Sequence, residues 1–270
     1  MKKVLLTTVF AASAAILAAC GSGSGEEKTI KVGASPVPHA EILEEAAPLL
    51  EEKGFKLEVE EFTDYVLPNK SLEGKDIDAN FFQHAPYLEG QKKEHGYEFT
   101  SVGGVHIEPI GVYSNKHKSL EELPNGAEII MSSSVADHGR MLSMLEEKGL
   151  LTLKEGVEKT EATVDDIEEN PKNLKFTADV EAALLPKALE NNEGDAVLIN
   201  GNYALDADLN PEKDAIALES ADNNPYVNLV VVRNGDEDSE KIKALIEVLQ
   251  SEEIQQFIEK EYKGSIISAE

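Results

Sequence analysis

Short apolar runs of β-strand character alternate with helical patterns along almost the whole of this 270-residue chain. Residues 29–34 are typical of a first strand, and Pro38 then begins a helix whose apolar residues share one face until Gly54 ends it. Residues 55–62 alternate apolar and charged side chains, which predicts a half-buried strand. Strands that alternate with helices are typical of α/β proteins with largely parallel sheets.

The same alternation continues towards the end of the chain. We predict further strands at residues 127–131, 174–176, 195–199 and 226–233. We predict helices at residues 86–95, 136–148, 180–190 and, in one or two pieces, 239–262. No change in composition marks a linker between domains. The pattern therefore favours two lobes that are connected by strand-like crossovers.

A secretory signal peptide is predicted at residues 1–19, where two early lysines precede an apolar run that is too short to span a bilayer. The segment leads into Leu-Ala-Ala-Cys, which resembles a bacterial lipobox, and the cysteine is Cys20. In a lipobox the thiol is acylated and the cysteine becomes the mature N-terminus. Residues 20–28 would then form a lipidated N-terminus and a flexible Gly/Ser tether. We expect a lipid anchor at the extracytoplasmic face of the cell membrane; the alternative is a plain signal peptide with a chance cysteine.

Acidic residues outnumber basic ones by 52 to 25, which gives a formal net charge of −27. Such a surface repels the phosphates of nucleic acids and anionic lipid headgroups, so we expect no nucleic-acid partner. An acidic surface kept for solubility is a simpler explanation than a cationic substrate. Cys20 is the only cysteine, and its acylation would leave no thiol for a disulfide, a thiolate metal site or a nucleophile.

The motifs of common extracellular enzymes are missing from the sequence, including His-Glu-x-x-His, Gly-x-Ser-x-Gly and Ser-x-x-Lys. Four histidines recur every eleven residues, at His84, His95, His106 and His117. Eleven residues along a helix span ~16 Å, which is too far for one ion, so this repeat is interpreted as a coincidence. We therefore expect a protein that is not an enzyme and that has neither a metal site nor a cofactor.

Three segments combine aromatic, histidine and amide side chains at the junctions of predicted strands and helices. They are residues 62–69, 77–88 and 224–231. An apolar wall with a few placed polar groups is the usual composition of a small-molecule site. The alternative for each aromatic residue is that it only packs in the core of a lobe.

These segments, with the lipobox and residues 168–174, closely resemble the methionine-binding lipoproteins of the NlpA-type family. Those proteins are substrate-binding components of ATP-driven (ABC) methionine importers, and the resemblance covers essentially the whole chain. It implies an α/β, two-lobed fold like that of type II periplasmic binding proteins, with a ligand cleft between the lobes. It implies a first lobe at residues 29–112 plus 228–270 and a second at residues 113–227. The implied partners are an amino acid, most simply methionine, and the permease and ATPase complex of an importer.

The resemblance also implies the ligand-binding residues, which are Tyr65, Phe82, His84 and Tyr87 for the side-chain pocket, and Arg140, Asn200 and Asn228 for the polar groups. An arginine fork pairs with a carboxylate, and amide oxygens can accept hydrogen bonds from an α-ammonium group. A thioether gains ~0.3–1.5 kcal/mol against an aromatic edge. Taken without the resemblance, the residues favour Arg140 as a solvated helix residue that pairs with an acidic side chain, and Asn200 could be a turn former.

The sequence departs from the family pattern in the loop at residues 132–138, which leads to Arg140, and at Ala85, where a lysine is frequent in the family. The ligand could therefore be another amino acid or a methionine-containing dipeptide. Two other classes stay open as alternatives. One is a surface or adhesion lipoprotein that binds no ligand, and the other is a secreted hydrolase, which the missing nucleophile motifs disfavour.

Overall fold

The computed structural model describes residues 28–222 and 224–269 of the chain. The predicted signal peptide, Cys20 and all but the last residue of the predicted tether lie outside this part. Within the described residues, no helix has the length and the apolar character that crossing a membrane requires.

Thirteen strands and nine α-helices make up the described residues. The strands are β1 (Thr29–Ala34), β2 (Lys56–Glu61), β3 (Ala79–His84), β4 (Phe99–Ile107), β5 (Gly111–Tyr113), β6 (Glu128–Ser132), β7 (Thr152–Leu153), β8 (Ile167–Glu169), β9 (Lys175–Val180), β10 (Ala196–Ile199), β11 (Ala217–Leu218), β12 (Val227–Arg233) and β13 (Ile267–Ser268). The α-helices are α1 (Glu41–Glu52), α2 (Leu67–Gly74), α3 (Ala85–His95), α4 (Val135–Glu147), α5 (Leu185–Glu190), α6 (Gly201–Asp206), α7 (Pro211–Asp214), α8 (Glu240–Leu249) and α9 (Glu252–Tyr262).

The first sheet has six strands in the order β13-β4-β12-β3-β1-β2. Strand β1 is parallel to β2 and β3, whereas β12 is antiparallel to both β3 and β4. Ile30 and Val32 of β1 are fully buried beneath α1, where Ile42, Ala46 and Leu50 recur at helical spacing on the buried face. Residues of α8 and α9 complete this core, so helices cover the sheet.

The second sheet has five strands in the order β11-β5-β10-β6-β9. Strand β10 is parallel to β6 and antiparallel to β5, and β6 is parallel to β9. Ile129, Met131 and Leu198 of this sheet pack with Met141 and Leu145 of α4 in a separate core. Because β6 and β10 run in the same direction, the loops that lead into α4 and α6 leave the sheet at one edge.

The α/β prediction is confirmed by these two sheets and their helices. Strands of the first sheet come from residues 29–107 and 227–268, and those of the second come from residues 111–218. The chain therefore passes between the sheets after β4 and returns before β12. The precise lobe boundaries, at residues 29–112 plus 228–270 and 113–227, stay a prediction.

Several predicted elements differ in extent from the structure. The helix predicted at residues 180–190 begins late, because Val180 still pairs with Ser132 in the sheet and α5 starts only at Leu185, ahead of a proline in its first turn. Residues 239–262 form two helices, α8 and α9, and the Ser251 side chain caps the second. Strands β3 to β5 and helix α2 were not predicted as separate elements.

Candidate functional site

A cavity between the two sheets encloses about 370 Å³ of space between protein atoms, counted to its open mouth. All seven residues that the family resemblance implied line this cavity, namely Tyr65, Phe82, His84, Tyr87, Arg140, Asn200 and Asn228. Phe82, His84 and Asn228 lie on strands of the first sheet, and the other four lie on helices α3 and α4 and on the loops after β2 and β10. The tertiary fold alone brings them together.

Strand β3 delivers Phe82 and His84 to the cavity. Its pairing with β12 shifts register between Leu229 and Val230, so that Phe82 has no direct partner. Such bulges re-aim side chains at sites of this kind. His84 ends the strand and caps α3, because its Nδ1 accepts a hydrogen bond from the Tyr87 backbone N–H at 3.3 Å. The opposite nitrogen, Nε2, is therefore directed away from α3 and into the cavity.

The apolar wall of the cavity consists of aromatic rings. The ring centroids of Tyr65, Phe82 and Tyr87 lie 5.9–6.1 Å from one another, and the ring of Tyr203, which does not line this cavity, lies 5.0 Å from the Tyr65 ring. The Tyr87 hydroxyl donates to the Tyr65 carbonyl at 2.8 Å, which satisfies the polar tip of that ring. Burial raises the pKa of Tyr87 well above its ordinary value, so the phenol stays neutral. This wall offers a flexible apolar side chain a set of ring faces and edges.

Arg140 lies on α4 with only 4% of its surface exposed, so it is not a solvated residue, although it does pair with an acidic side chain as that alternative supposed. Its Nε donates to both carboxylate oxygens of Glu219 at 2.8 Å, and Nη2 donates to Glu219 Oε2 at 2.5 Å. Nη2 also donates to the backbone carbonyl of Glu108. The guanidinium carbon stands 4.7 Å from the centroid of the Tyr226 ring. Nη1 takes no part in these bonds.

Asp137 is a buried carboxylate in the cavity that the sequence analysis missed. Its Oδ2 accepts a hydrogen bond from Asn200 Nδ2 at 3.1 Å, and its Oδ1 lies 3.6 Å from His84 Nε2. Burial acts to raise the pKa of Asp137, but the neighbouring His84 imidazole, the Arg140 guanidinium and the hydrogen bond from Asn200 hold it below the usual value. Oδ1 of Asn200 is buried with no hydrogen-bond partner among the described residues. The cavity therefore contains an anionic group and an unused acceptor side by side, which suits an ammonium group.

Glu108 lies where the chain passes from the first sheet to the second, beside two buried histidines. Its Oε1 is 2.7 Å from His106 Nε2 and 3.1 Å from His39 Nε2, and its Oε2 accepts from the Asn202 backbone N–H at 2.9 Å. Burial lowers the pKa of His39 to about 4 and that of His106 to about 3, so both imidazoles are neutral near pH 7. Burial raises the pKa of Glu108.

Zinc accepts histidine and carboxylate ligands, and within the described residues His39, His106 and Glu108 are the one group close enough to hold an ion. In the structure, the Nε2 atoms of His39 and His106 both approach Oε1 of Glu108. The four histidines at eleven-residue spacing do not form a common site. His84 lies in the cavity and His106 beside Glu108, whereas His95 neighbours Tyr97 and His117 neighbours Asp195.

A second, wider cavity shares Tyr65 and Tyr87 with the first and, counted in the same way to its open mouth, encloses about 1440 Å³. It is lined in part by residues 132–136, the loop that departs from the family pattern. Val135 in this loop is 60% exposed. The altered loop therefore borders the wider cavity, while Asp137 near its end lines the first cavity.

Sequence reasoning missed Asp137, Glu108, Asn202, Tyr203 and Glu219. A signal existed for Asp137, because it precedes Arg140 by three residues and shares its helix face. Glu219 carried no such signal, since it lies 79 residues from Arg140 in a chain with 52 acidic side chains.

Comparisons with known proteins agree with the observed fold and with the family that the sequence resembles. A family model described as NlpA lipoprotein matches residues 30–270. The methionine-binding lipoprotein MetQ of Bacillus subtilis (strain 168) is 54% identical over 271 residues, which cover 99% of this chain and 98% of that protein. The D-methionine-binding lipoprotein MetQ of Salmonella typhi is 40% identical over 252 residues, which cover 93% of this chain and 92% of that protein.

A solved structure is similar to this chain in both fold and sequence. It is a nutrient binding protein from Burkholderia cenocepacia bound to methionine, with a TM-score of 0.84 and 45% identity to this chain. The match covers 89% of this chain and all of that one. The predicted two-lobed binding-protein fold is thereby confirmed. With a family model that spans nearly the whole sequence and relatives of this similarity, the chain belongs to the NlpA lipoprotein family.

Proposed function

We propose that this protein captures methionine outside the cytoplasmic membrane, where a lipid on Cys20 anchors it, and delivers the amino acid to an ABC importer. The observation that carries the proposal is the division of one cavity into an aromatic wall and a polar wall with Arg140 and Asp137. The printed names of the relatives, which describe methionine-binding and D-methionine-binding lipoproteins, support the same ligand.

Each group of methionine has a counterpart in the cavity. The ammonium group would pair with Asp137 and donate to Oδ1 of Asn200, the buried acceptor without a partner. The carboxylate would accept from Nη1 of Arg140. The thioether would contact the rings of Tyr65 and Phe82, where a polarizable sulfur gains ~0.3–1.5 kcal/mol.

Contacts between segments of the two sheets support a cleft that closes on its ligand. The Tyr203 hydroxyl on α6 donates to the Thr63 carbonyl at 3.2 Å, in the segment after β2. A ligand held by Arg140 from one side and Phe82 from the other favours this closed form by its greater affinity for it. The closed form is what the permease and ATPase complex of the importer would recognise. We propose binding and delivery without catalysis.

A competition series against ligand-stripped protein tests the proposal by calorimetry or thermal shift. Methionine should bind most tightly. Norleucine keeps the buried area and loses mainly the sulfur–aromatic contact, so it should bind about 1 kcal/mol more weakly. Glutamate would bring a second carboxylate against aromatic faces and should lose at least ~3 kcal/mol. Since bound ligand stabilises by RT ln(1 + [L]/Kd), the absence of any shift with amino acids would favour the adhesion alternative.

The second cavity favours one other candidate ligand, a methionine-containing dipeptide. This cavity, which encloses about 1440 Å³ to its open mouth, adjoins the aromatic wall, so an additional residue could extend past Tyr65 towards the altered loop. The series therefore includes glycyl-methionine and glutamine. Tighter binding of either one than of methionine would overturn the methionine assignment and leave the transport role in place.

A further inference from the structure

His39 forms a buried link between the cavity and the polar cluster around Glu108. Only 1% of its surface is exposed. Its Nε2 lies 3.0 Å from Oδ1 of Asn228 and 3.1 Å from Oε1 of Glu108. The ring of Phe81 packs at 4.6 Å from the His39 ring and at 5.2 Å from the His106 ring. Packing thus holds the imidazole of His39 in one orientation.

The positions of the protons follow from the partners. A carboxylate only accepts hydrogen bonds, and Glu108 is approached by three nitrogens, namely Nε2 of His39, Nε2 of His106 and the backbone N–H of Asn202. Nε2 of His39 therefore carries its proton and donates between two acceptors, Glu108 Oε1 and Asn228 Oδ1. Because Oδ1 of Asn228 is the atom that receives this bond, the Nδ2 end of the same amide is the end left for the cavity.

We propose that His39 is a positioning residue that orients the Asn228 amide so that Asn228 donates to the carboxylate of the ligand. This inference rests on the proposed function, in which the ligand is an amino acid with a free carboxylate. The two asparagines then have opposite roles. Asn200 presents an oxygen to the ammonium group, and Asn228 presents its Nδ2 hydrogens to the carboxylate.

The surroundings of Asn228 support a carboxylate site. Asn228 and Arg140 both line the cavity, and Tyr226, two residues before Asn228, places its ring 4.7 Å from the guanidinium carbon of Arg140. Glu108 helps to position both Asn228 and Arg140. Its carboxylate lies beside His39, which contacts Asn228, and its backbone carbonyl accepts a hydrogen bond from Arg140. A ligand without a carboxylate would gain nothing from either donor.

The first test uses variants of His39 and two ligands, methionine and 3-(methylthio)propylamine, which is methionine without its carboxylate. His39→Phe keeps a ring but removes the donor, so methionine affinity should fall about tenfold, while affinity for the amine changes less than about twofold. His39→Gln retains an N–H donor and should restore most of the methionine affinity. In an Asn228→Ala background, His39→Phe should have little further effect. If His39→Phe weakened the binding of both ligands equally, or weakened methionine binding as strongly in the Asn228→Ala background, His39 would be only a structural residue.

The second test does not depend on His39→Phe being able to fold. Asn228→Asp is nearly isosteric and replaces the amide nitrogen that faces the cavity with a carboxylate oxygen. We expect methionine binding to weaken by about a hundredfold or more, with a smaller loss for 3-(methylthio)propylamine, because two carboxylates would face each other. Unchanged or tighter methionine binding would mean that an Asn228 oxygen accepts from the ammonium group. That result would overturn this inference and leave the proposed function in place. Wild-type protein that binds no amino acid would overturn the proposed function and this inference with it.

Discussion

The Tyr65 hydroxyl donates a 2.6 Å hydrogen bond to Oδ1 of Asn202, which joins the segment after β2 to helix α6 across the cavity. Tyr65 is also one of the rings that line the aromatic wall. One side chain thus contributes both to the surface that a ligand would contact and to the bond that links segments of the two sheets. Ligand binding and cleft closure are therefore expected to depend on the same residue.

Tyr65→Phe separates these two contributions. It keeps the ring and removes only the bond to Asn202, so methionine affinity should fall by about 1 kcal/mol, because the closed form loses a contact that the open form lacks. Titration calorimetry measures the change. Tyr97→Phe is the matched control, since Tyr97 is stacked on Phe99 outside the cavity and should leave the affinity unchanged. Equal affinities of wild type and Tyr65→Phe would argue against a role for this bond in binding.

Arg140→Met should weaken methionine binding by on the order of 2–5 kcal/mol, because the ligand carboxylate loses its charged partner. The same change leaves the largely buried Glu219 carboxylate without a cation, so the free energy of unfolding should fall by up to about 3 kcal/mol. Arg140→Met combined with Glu219→Gln removes the stranded charge. This double variant should recover most of the stability but none of the binding. Recovery of methionine binding in the double variant would show that Arg140 acts only through Glu219.

Asp137→Asn tests the ammonium site. Methionine affinity should fall by about 1.5–3 kcal/mol, the usual worth of a hydrogen bond to a charged group. Affinity for 4-(methylthio)butanoate, which has no ammonium group, should not fall. Asp179→Asn is the control, because Asp179 is exposed on β9 and does not line the cavity. A similar loss for both ligands would assign Asp137 to the support of His84 and Asn200 instead.

The buried histidines predict a loss of stability in acid. The pKa of His106 is about 3 in the folded protein, below the ordinary value of 6.5. Between these values the unfolded chain binds a proton that the folded chain does not, so His106 favours unfolding increasingly as the pH falls below 6.5. The raised pKa of Glu108 opposes this effect over its own range, because there the folded state binds the extra proton.

His106→Gln isolates this contribution, since glutamine can donate to Glu108 but does not titrate. Between about pH 7.5 and about pH 5, wild type should lose about 2 kcal/mol more unfolding free energy than the variant does. Urea denaturation at the two pH values measures both. Identical pH dependence of the two proteins would mean that His106 takes up its proton without unfolding.

Cys20→Ser tests the lipid anchor, which lies outside the described residues. The variant should leave the membrane fraction and should still bind methionine, because nothing in the predicted tether can join a core. Ser22→Ala in the same tether is the control and should stay with the membrane. Retention of Cys20→Ser in the membrane fraction would contradict the lipobox prediction.

Local sequence patterns were sufficient to predict several of the strands and helices of this protein. The residues of β1, with Ile30, Val32 and Ala34 on one face, match the predicted strand, and the helix pattern after Pro38 matches α1. The family resemblance named seven residues that all line one cavity, although their roles stay predictions. Strand β3 escaped prediction because it is buried on both faces and shows no alternation.

By itself, the sequence determined the α/β class, the family and the amino-acid types of the candidate site, because these depend on residues close together along the chain. Only the tertiary structure decided which charges face each other. Arg140 meets Glu219 at a separation of 79 residues, and His39 meets Asn228 at 189. A chain with 52 acidic side chains offers a cation many possible partners, and local spacing does not distinguish between them. The choice follows from burial, since a charge removed from water is stable only beside the partner that the packed sheets bring to it.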